Sequence, residues 1–142
     1  MKQTKILFVC KYNRFRSRIA EAYFNKVNKN KNIVAESAGV IEGFLPLDKN
    51  QIKTAEKFGF SILGKPRTTS MEMLRDFDKI IIVANDVPKS IFSYFLYKDK
   101  VIKWNIPDVV EGKSIDENEK IVKKIIKKVD ELNKKLEKQN GN

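Results

Sequence analysis

The sequence contains no histidine and only one cysteine, Cys10. A single cysteine forms no internal disulfide, and without histidine the chain has no zinc site built from cysteine and histidine. The same absence excludes Ser-His-Asp and Cys-His catalysis, because both use an imidazole base. No apolar run approaches the roughly 18 residues that span a bilayer, and the N-terminus lacks the apolar segment and cleavage site of a secretory signal. We therefore expect a cytoplasmic protein without a membrane partner.

The chain also lacks repeats, low-complexity linkers and proline- or glycine-rich breaks, and its 142 residues favour one domain, residues 1–142. Hydrophobic residues make up 42% of it, which is enough apolar material for a core. The balance of 29 Lys+Arg against 18 Asp+Glu gives a net charge of +11. This charge suits a nucleic acid, an anionic surface or an anionic substrate. Since lysine is abundant throughout, the charge alone does not choose among these partners.

Short apolar runs alternate with amphipathic helical patterns along the chain. The runs predict strands at residues 6–9, 33–37, 80–84 and 101–104. The helical patterns predict helices at residues 17–30, 49–58, 70–77 and 88–95, and a long one from about residue 115 onward. Thr69 and Glu72 have capping-box spacing at the start of the third helix. The alternation indicates a three-layer α/β fold, with a four-stranded parallel sheet and helices on both faces.

Ligands of such a sheet bind beyond the carboxyl ends of its strands. The loops that follow the predicted strands are therefore the places where chemistry is expected, and they come after Val9, Ser37, Ala84 and Trp104.

Cys10 ends the first predicted strand, and a Cys-x5-Arg-Ser loop of residues 10–17 leads into the first predicted helix. A short loop before a helix directs backbone N–H groups inward, and the helix dipole adds positive potential. The loop therefore suits a tetrahedral oxyanion such as phosphate, sulfate or vanadate, and Arg16 offers a planar fork of donors to its oxygens. The same positive field, with Ser17 as a hydrogen-bond partner of the sulfur, favours the thiolate form of Cys10. This constellation predicts a nucleophile facing a bound phosphate.

Such a nucleophile needs a general acid that protonates the leaving oxygen. Because histidine is absent, a carboxyl group is preferred to tyrosine or lysine. Asp108 follows Pro107 in the loop after the last predicted strand, which puts it on the same rim of the sheet as Cys10. We therefore expect Asp108 to be the acid.

Residues 9–24, VCKYNRFRSRIAEAYF, resemble the phosphate-binding loop and first helix of the low-molecular-weight protein tyrosine phosphatases. That superfamily includes the thioredoxin-coupled arsenate reductases. Further segments that resemble the family lie at residues 36–39, 67–74, 78–81 and 104–108. The resemblance implies a phosphatase that acts on phosphotyrosine proteins and small aryl phosphates through a phosphocysteine intermediate. It implies no metal and no cofactor.

The resemblance also implies roles for individual residues. Cys10 is the expected nucleophile, Arg16 binds phosphate and the transition state, and Asp108 protonates the leaving group and then activates water. The other residues implied in the phosphate-binding loop are Lys11, Tyr12, Asn13, Arg14, Phe15 and Ser17, with Ser37 bonded to Asn13 from the neighbouring strand.

Four positions depart from the family's pattern. Tyr12 stands where the family usually has glycine, a residue that tolerates backbone shapes tyrosine resists. Phe15 replaces a second loop cysteine that in the phosphatases protects the nucleophile by forming a disulfide. Arg18 replaces the usual proline after Arg-Ser, and Val109 replaces the proline that commonly follows the acid. A differently shaped acid loop is therefore expected.

Lys11 and Arg14 occupy positions that are often apolar in the phosphatases and touch the substrate. A more cationic mouth predicts a preference for acidic phosphopeptides or other polyanionic phosphoesters. Phe44, in the loop after Ser37, fits either an exposed recognition aromatic or the core, and the sequence does not decide between them.

Three other functions remain open from the sequence. An arsenate reductase would need an external thiol, since one cysteine cannot relay oxidation within the chain. A non-catalytic module that binds oxyanions or phosphoproteins is suggested by Tyr12 and the altered acid loop. A nucleic-acid binder has no recognition motif in its support, so no nucleic-acid partner is expected.

Overall fold

A computed structural model of the protein describes residues 3–95, 98–108 and 114–141. The strands are β1 (Thr4–Cys10), β2 (Ile33–Gly39), β3 (Lys79–Val83) and β4 (Val101–Trp104). The α-helices are α1 (Arg16–Val27), α2 (Lys49–Lys57), α3 (Met71–Asp76) and α4 (Ile115–Gly141). Two 3₁₀ segments, Lys89–Phe95 and Lys98–Lys100, lie between β3 and β4. Among these helices, none is both long enough and apolar enough to cross a membrane.

The strands form one parallel sheet in the order β2-β1-β3-β4. On one side β1 pairs with β2, from Thr4 opposite Ile33 to Cys10 opposite Gly39, and on its other side it pairs with β3. The strand order therefore reverses between β1 and β3. Such a reversal opens a crevice at the carboxyl ends of these two strands. Cys10, the last residue of β1, lies at this crevice.

Strand β1 is buried on both faces, because successive side chains point to opposite sides of a strand. Ile6 and Phe8 belong to the core on the face that α1, α2 and α4 cover. Leu7 and Val9 belong to the core on the opposite face, with α3 and the first 3₁₀ segment. Burial on both faces is usual for parallel strands and explains the continuous apolar run. The predicted three-layer α/β fold, with four parallel strands and helices on both faces, is confirmed.

The helix predicted at residues 88–95 is not an α-helix. It is a 3₁₀ segment, and the N–H of Ile91 donates to the carbonyl of Pro88 three residues earlier, at 3.2 Å. Within it, Phe92 is buried whereas its neighbour Ile91 is 44% exposed. Short connecting segments often form 3₁₀ helices, whose hydrogen bonds join residues three apart.

The predicted cap of α3 is shifted by one residue. The side chain of Ser70, rather than Thr69, accepts the N–H of Met73 at 3.1 Å. The N–H of Thr69 instead donates to the carbonyl of Gly39 at 2.8 Å. Thr69 therefore belongs to an extended segment beside the end of β2, and the helix starts only after it.

We expect Phe24→Ala to lower the free energy of unfolding by about 3–5 kcal/mol, because it removes a large side chain from the core. Phe24 is fully buried, and its ring centroid lies 6.0 Å from that of Phe8. The matched control is Phe44→Ala, since Phe44 is 94% exposed and its loss should change stability by no more than about 0.5 kcal/mol. Urea unfolding followed by circular dichroism measures both, and equal losses would contradict this packing.

Candidate active site

The nucleophile candidate lies at the base of the loop of residues 10–17, called the 10–17 loop below. Cys10 is only 3% exposed, and its sulfur lies 3.0 Å from Ser17 Oγ. Ser17 is fully buried in the first turn of α1. The end of β1 and the start of α1 thus bring the sulfur and the hydroxyl together, as the sequence expectation for Ser17 requires.

Asn13 holds the 10–17 loop in shape with both its backbone and its side chain. Its φ is 55°, the only positive value at a non-glycine residue in the described part of the chain. Asparagine tolerates this left-handed conformation better than most residues. Its Nδ2 donates to Ser17 Oγ at 2.8 Å and to Ser37 Oγ at 2.9 Å, and its Oδ1 accepts the N–H of Arg67 at 2.9 Å. Ser37 therefore lies against Asn13. The side-chain amide of Asn13 connects α1, β2 and the segment at Arg67.

Arg16 is buried, and its guanidinium is held from two other strand ends. Nη1 donates to the carbonyl of Ile106 at 3.0 Å, and Nη2 lies 3.0 Å from Asp86 Oδ1. The same Nη2 lies 3.9 Å from Asp108 Oδ2. Two carboxylates therefore balance the charge of a guanidinium whose side chain is only 5% exposed.

Asp86 was not predicted as a site residue from the sequence. It follows β3 in the loop after Ala84, on the rim where chemistry was expected, and its side chain is 31% exposed. The signal was available, because a carboxylate just beyond a strand that borders the crevice can reach the same ligand as Cys10.

Asp108 lies beyond β4, and its side chain is 51% exposed. The structure brings it to the edge of the site rather than into tight contact with Arg16. The expectation of an acid loop reshaped at Val109 falls outside the described residues.

Three loop residues form the rim of the site. Lys11 places its Nζ 5.3 Å from the ring centroid of Tyr12, and Arg14 donates from Nη2 to the carbonyl of Pro46. Tyr12 does not have a positive φ, so the glycine common in the family is not needed here for backbone conformation. Gly43 lies against the Tyr12 side chain, and the tyrosine therefore serves as a packing surface for the loop after β2.

The loop after β2 closes over this rim through its backbone. The N–H of Val40 donates to the carbonyl of Cys10 at 3.1 Å, and the N–H of Ile41 donates to the carbonyl of Lys11 at 3.0 Å. Phe44, at 94% exposure, is at the surface of this loop rather than in the core.

Phe15 precedes α1 and belongs to the core. It is 4% exposed and clusters with residues such as Ile19 and Ile106. As the N-cap residue of α1 it makes no side-chain capping bond. The start of α1 therefore has no side-chain cap at its N–H groups, as in helix ends that bind anions.

Glu21 and Arg67 also support the site, and neither was predicted from the sequence. Ser37 Oγ donates to Glu21 Oε1 at 2.5 Å, so α1 anchors the serine that binds Asn13. Arg67 donates through its side chain to Glu36 Oε1 at 2.8 Å and to the carbonyl of Ser37 at 3.0 Å. Both lie in segments whose sequences resembled the family, but no spacing rule pairs them with the 10–17 loop.

Solved structures with the same fold include several phosphatases. A low molecular weight protein tyrosine phosphatase from T. tengcongensis is 24% identical, with a TM-score of 0.80 over 94% of this chain and 99% of that one. The corresponding protein VcLMWPTP-2 from Vibrio cholerae is 18% identical, with a TM-score of 0.84 over 96% and 99%. The arginine phosphatase YwlE, as a cysteine-to-serine mutant with a phosphorylated active-site serine, is 22% identical, with a TM-score of 0.83 over 96% and 98%. At these identities the likeness concerns the fold.

The comparison with protein families decides the assignment. A comparison with curated protein sequences found no match for this chain. The family model for low molecular weight phosphotyrosine protein phosphatase, however, matches residues 5–142, nearly the whole sequence. The chain belongs to the low molecular weight phosphotyrosine protein phosphatase family.

Proposed function

We propose that this phosphatase holds a phosphomonoester in the 10–17 loop and transfers its phosphoryl group to Cys10. The observation that carries the proposal is the buried Cys10 sulfur, 3.0 Å from Ser17 Oγ and in one loop with the buried Arg16. A thiol beside a helix N-terminus and a guanidinium has the surroundings that activate cysteine as a nucleophile. Phosphotyrosine and aryl phosphates are the proposed substrates.

Phosphate binding relies on backbone and guanidinium donors. The uncapped start of α1 offers N–H groups and the positive end of the helix dipole to an oxyanion. Arg16 is fixed by Asp86 and by the carbonyl of Ile106. A guanidinium has more N–H donors than these contacts use, so Arg16 also binds phosphate oxygens in this scheme.

The first chemical step forms a phosphocysteine. The Cys10 thiolate attacks phosphorus, a sulfur–phosphorus bond forms, and the bond from phosphorus to the leaving oxygen breaks. The electron pair of that bond stays with the leaving oxygen, which takes the proton of the Asp108 carboxyl group and departs as an alcohol.

The second step releases inorganic phosphate. Water attacks the phosphorus of the phosphocysteine while the Asp108 carboxylate takes a proton from that water. The sulfur–phosphorus bond breaks, and its electron pair returns to Cys10 as the thiolate. Arg16 and backbone N–H groups stabilise the charge of both transition states, so the scheme needs no metal and no cofactor.

The similar YwlE structure supports a covalent intermediate. There, a serine in place of the active-site cysteine carries the phosphoryl group. We infer that Cys10 of this chain takes the same position in the reaction.

Asp108 is preferred over Asp86 as the acid. Asp86 forms the 3.0 Å ion pair with Arg16 and is the less exposed of the two carboxylates. Asp108 is 3.9 Å from Arg16 and half exposed, so it has access to a leaving group that enters from solvent. In this scheme Asp86 positions the arginine and Asp108 moves the proton.

The alternative functions have less support. A reductase would need an external thiol, because the chain has only one cysteine. The loop after β3 supplies the carboxylate of Asp86 to the site. The binding module without turnover was suggested in part by Tyr12. Tyr12 does not have a positive φ, and Asn13 bonds to Ser17 and Ser37, so the tyrosine does not disrupt the loop. A reduced cysteine nucleophile persists in a reducing compartment, which favours the cytoplasm.

The rim favours acidic substrates. Lys11 and Arg14 are two cations of the 10–17 loop. Arg14 bonds to the carbonyl of Pro46, in the same loop after β2 as the exposed Phe44. Such a rim attracts acidic side chains near a phosphotyrosine. It does not match the cationic guanidinium of a phosphoarginine, the substrate group of the similar arginine phosphatase.

We expect Cys10→Ser to reduce hydrolysis of para-nitrophenyl phosphate to background.

Asp108→Asn should lower kcat about 100-fold on a phosphotyrosine peptide. It should lower kcat less on para-nitrophenyl phosphate, because that leaving group departs without a proton. The comparison variant Asp86→Asn should lower kcat/KM by a similar factor on both substrates, since it acts through Arg16.

Steady-state kinetics on both substrates measures these ratios. An equal loss on the two substrates for Asp108→Asn would remove it as the acid. Wild-type protein that binds vanadate but hydrolyses neither substrate would support the binding module instead.

Gly39→Ala tests whether the shape of the 10–17 loop matters. A Cβ at this position would lie 2.6 Å from the carbonyl carbon of Tyr12 and 2.7 Å from the nitrogen of Asn13, so the loop backbone must move. We expect kcat/KM for para-nitrophenyl phosphate to fall by at least about tenfold, since small displacements of positioned groups are costly. The matched control is Gly43→Ala, whose Cβ would meet the Tyr12 side chain at an ordinary 3.4 Å. Equal activity of the two variants would count against a preformed loop.

A phosphotyrosine peptide flanked by Asp and Glu should show about tenfold higher kcat/KM at low salt than the same peptide flanked by Lys, and the ratio should shrink as salt screens the charges. Lys11→Met should reduce the ratio while leaving kcat on para-nitrophenyl phosphate near the wild-type value. A phosphoarginine peptide with acidic flanks should be the poorer substrate. Equal kcat/KM for the two phosphotyrosine peptides at low salt would refute the cationic rim.

A further inference from the structure

Arg18 makes contacts that the proline common in the family cannot make. It lies in the first turn of α1, directly after Ser17. Its Nε donates to the carbonyl of Asn13 at 2.8 Å, and its Nη1 donates to the carbonyl of Ile62 at 2.8 Å. One guanidinium therefore bridges the 10–17 loop and the segment that follows α2.

The bond from Arg18 acts on the peptide that follows Asn13, the loop residue with positive φ. The carbonyl and N–H groups of a trans peptide point in opposite directions. When Arg18 fixes the carbonyl of Asn13, it also fixes the direction of the N–H of Arg14, the next residue in the 10–17 loop. Asn13 is thus held at its carbonyl by Arg18, at its Nδ2 by Ser17 and Ser37, and at its Oδ1 by Arg67.

The charged surroundings of Arg18 tie it to the same site. Burial lowers the pKa of Arg18, the negative charges of Glu21 and Cys10 act to raise it, and Arg67 lowers it. Arginine keeps its proton in such surroundings and remains a cation.

We propose that Arg18 is a positioning residue that holds the 10–17 loop in its oxyanion-binding shape by clamping Asn13 to Ile62. The inference rests on the proposed function, in which this loop binds phosphate. Proline pre-sets only its own φ, whereas Arg18 braces the loop from outside through two carbonyls. The substitution thus replaces a local constraint with a tertiary one.

The test measures oxyanion affinity apart from stability. We expect Arg18→Met to raise the inhibition constants of inorganic phosphate and vanadate about tenfold or more, from the loss of charge-assisted hydrogen bonds. kcat/KM for para-nitrophenyl phosphate should fall by a comparable factor. Arg18→Lys keeps the charge, but its single ammonium cannot reproduce a fork between two carbonyls, so it should restore only part of the affinity.

Lys26→Met is the matched control. Lys26 is a second cation on α1, and its Nζ lies 5.5 Å from the ring centroid of Phe60, in the same segment as Ile62. This variant loses a charge and a contact to that segment but no contact to Asn13. Its inhibition constants should remain at the wild-type values. Urea unfolding of each variant shows whether any loss follows stability instead of the loop.

Wild-type inhibition constants in Arg18→Met, or an equal rise in Lys26→Met, would overturn the inference while the proposed function stands. A lower free energy of unfolding in Arg18→Met, with unchanged inhibition constants of phosphate and vanadate, would also overturn the inference. Should Arg18→Met fail to fold, Arg18→Lys decides, because wild-type affinity there would exclude a two-point clamp. Wild-type protein that neither binds vanadate nor hydrolyses para-nitrophenyl phosphate would overturn the proposed function itself, and this inference with it.

Discussion

The left-handed backbone of Asn13 is the constraint on which the active site depends. One residue with φ of 55° turns the chain between Cys10 and α1 tightly enough for the sulfur to lie 3.0 Å from Ser17 Oγ. This conformation has a cost for any residue with a Cβ. Hydrogen bonds from α1, from β2 and from the segment at Arg67 offset that cost. The loop therefore exists only where three parts of the fold have already assembled.

The candidate active site also contains a buried guanidinium, that of Arg16, whose charge must be paired. A buried charge is costly unless it is paired and hydrogen-bonded. Arg16 meets this condition through Asp86 after β3 and through the carbonyl of Ile106 after β4. The parallel sheet makes the arrangement possible, because its strands end at one edge and deliver their following loops to the same crevice. Contacts that belong to the fold at this edge of the sheet therefore also hold Arg16 in the candidate active site.

Three of the four departures from the family's pattern lie in the described residues and have physical counterparts there. Phe15 fills the core in front of α1, and Tyr12 packs against Gly43 without needing the backbone freedom of glycine. Arg18 binds the carbonyl of Asn13 from outside the loop. Each replacement adds a packing or hydrogen-bonding contact between the loop and another segment. The chain is about one fifth identical to the solved phosphatases and shares their fold.

The sequence by itself determined the strands, most helices and the central pairing of Cys10 with a following arginine and serine. Hydrophobic periodicity and short-range spacing carry that information, since both are visible within one strand, one loop or one helix. The type of the segment at Lys89–Phe95 and the cap at Ser70 depended on which side chains other elements covered or bonded. The ion pair of Asp86 with Arg16 and the clamp of Arg18 on Ile62 were decided only by the tertiary structure. They join residues far apart in the chain, and the sequence places the loops after the strands at one edge of the sheet without recording which side chains meet there.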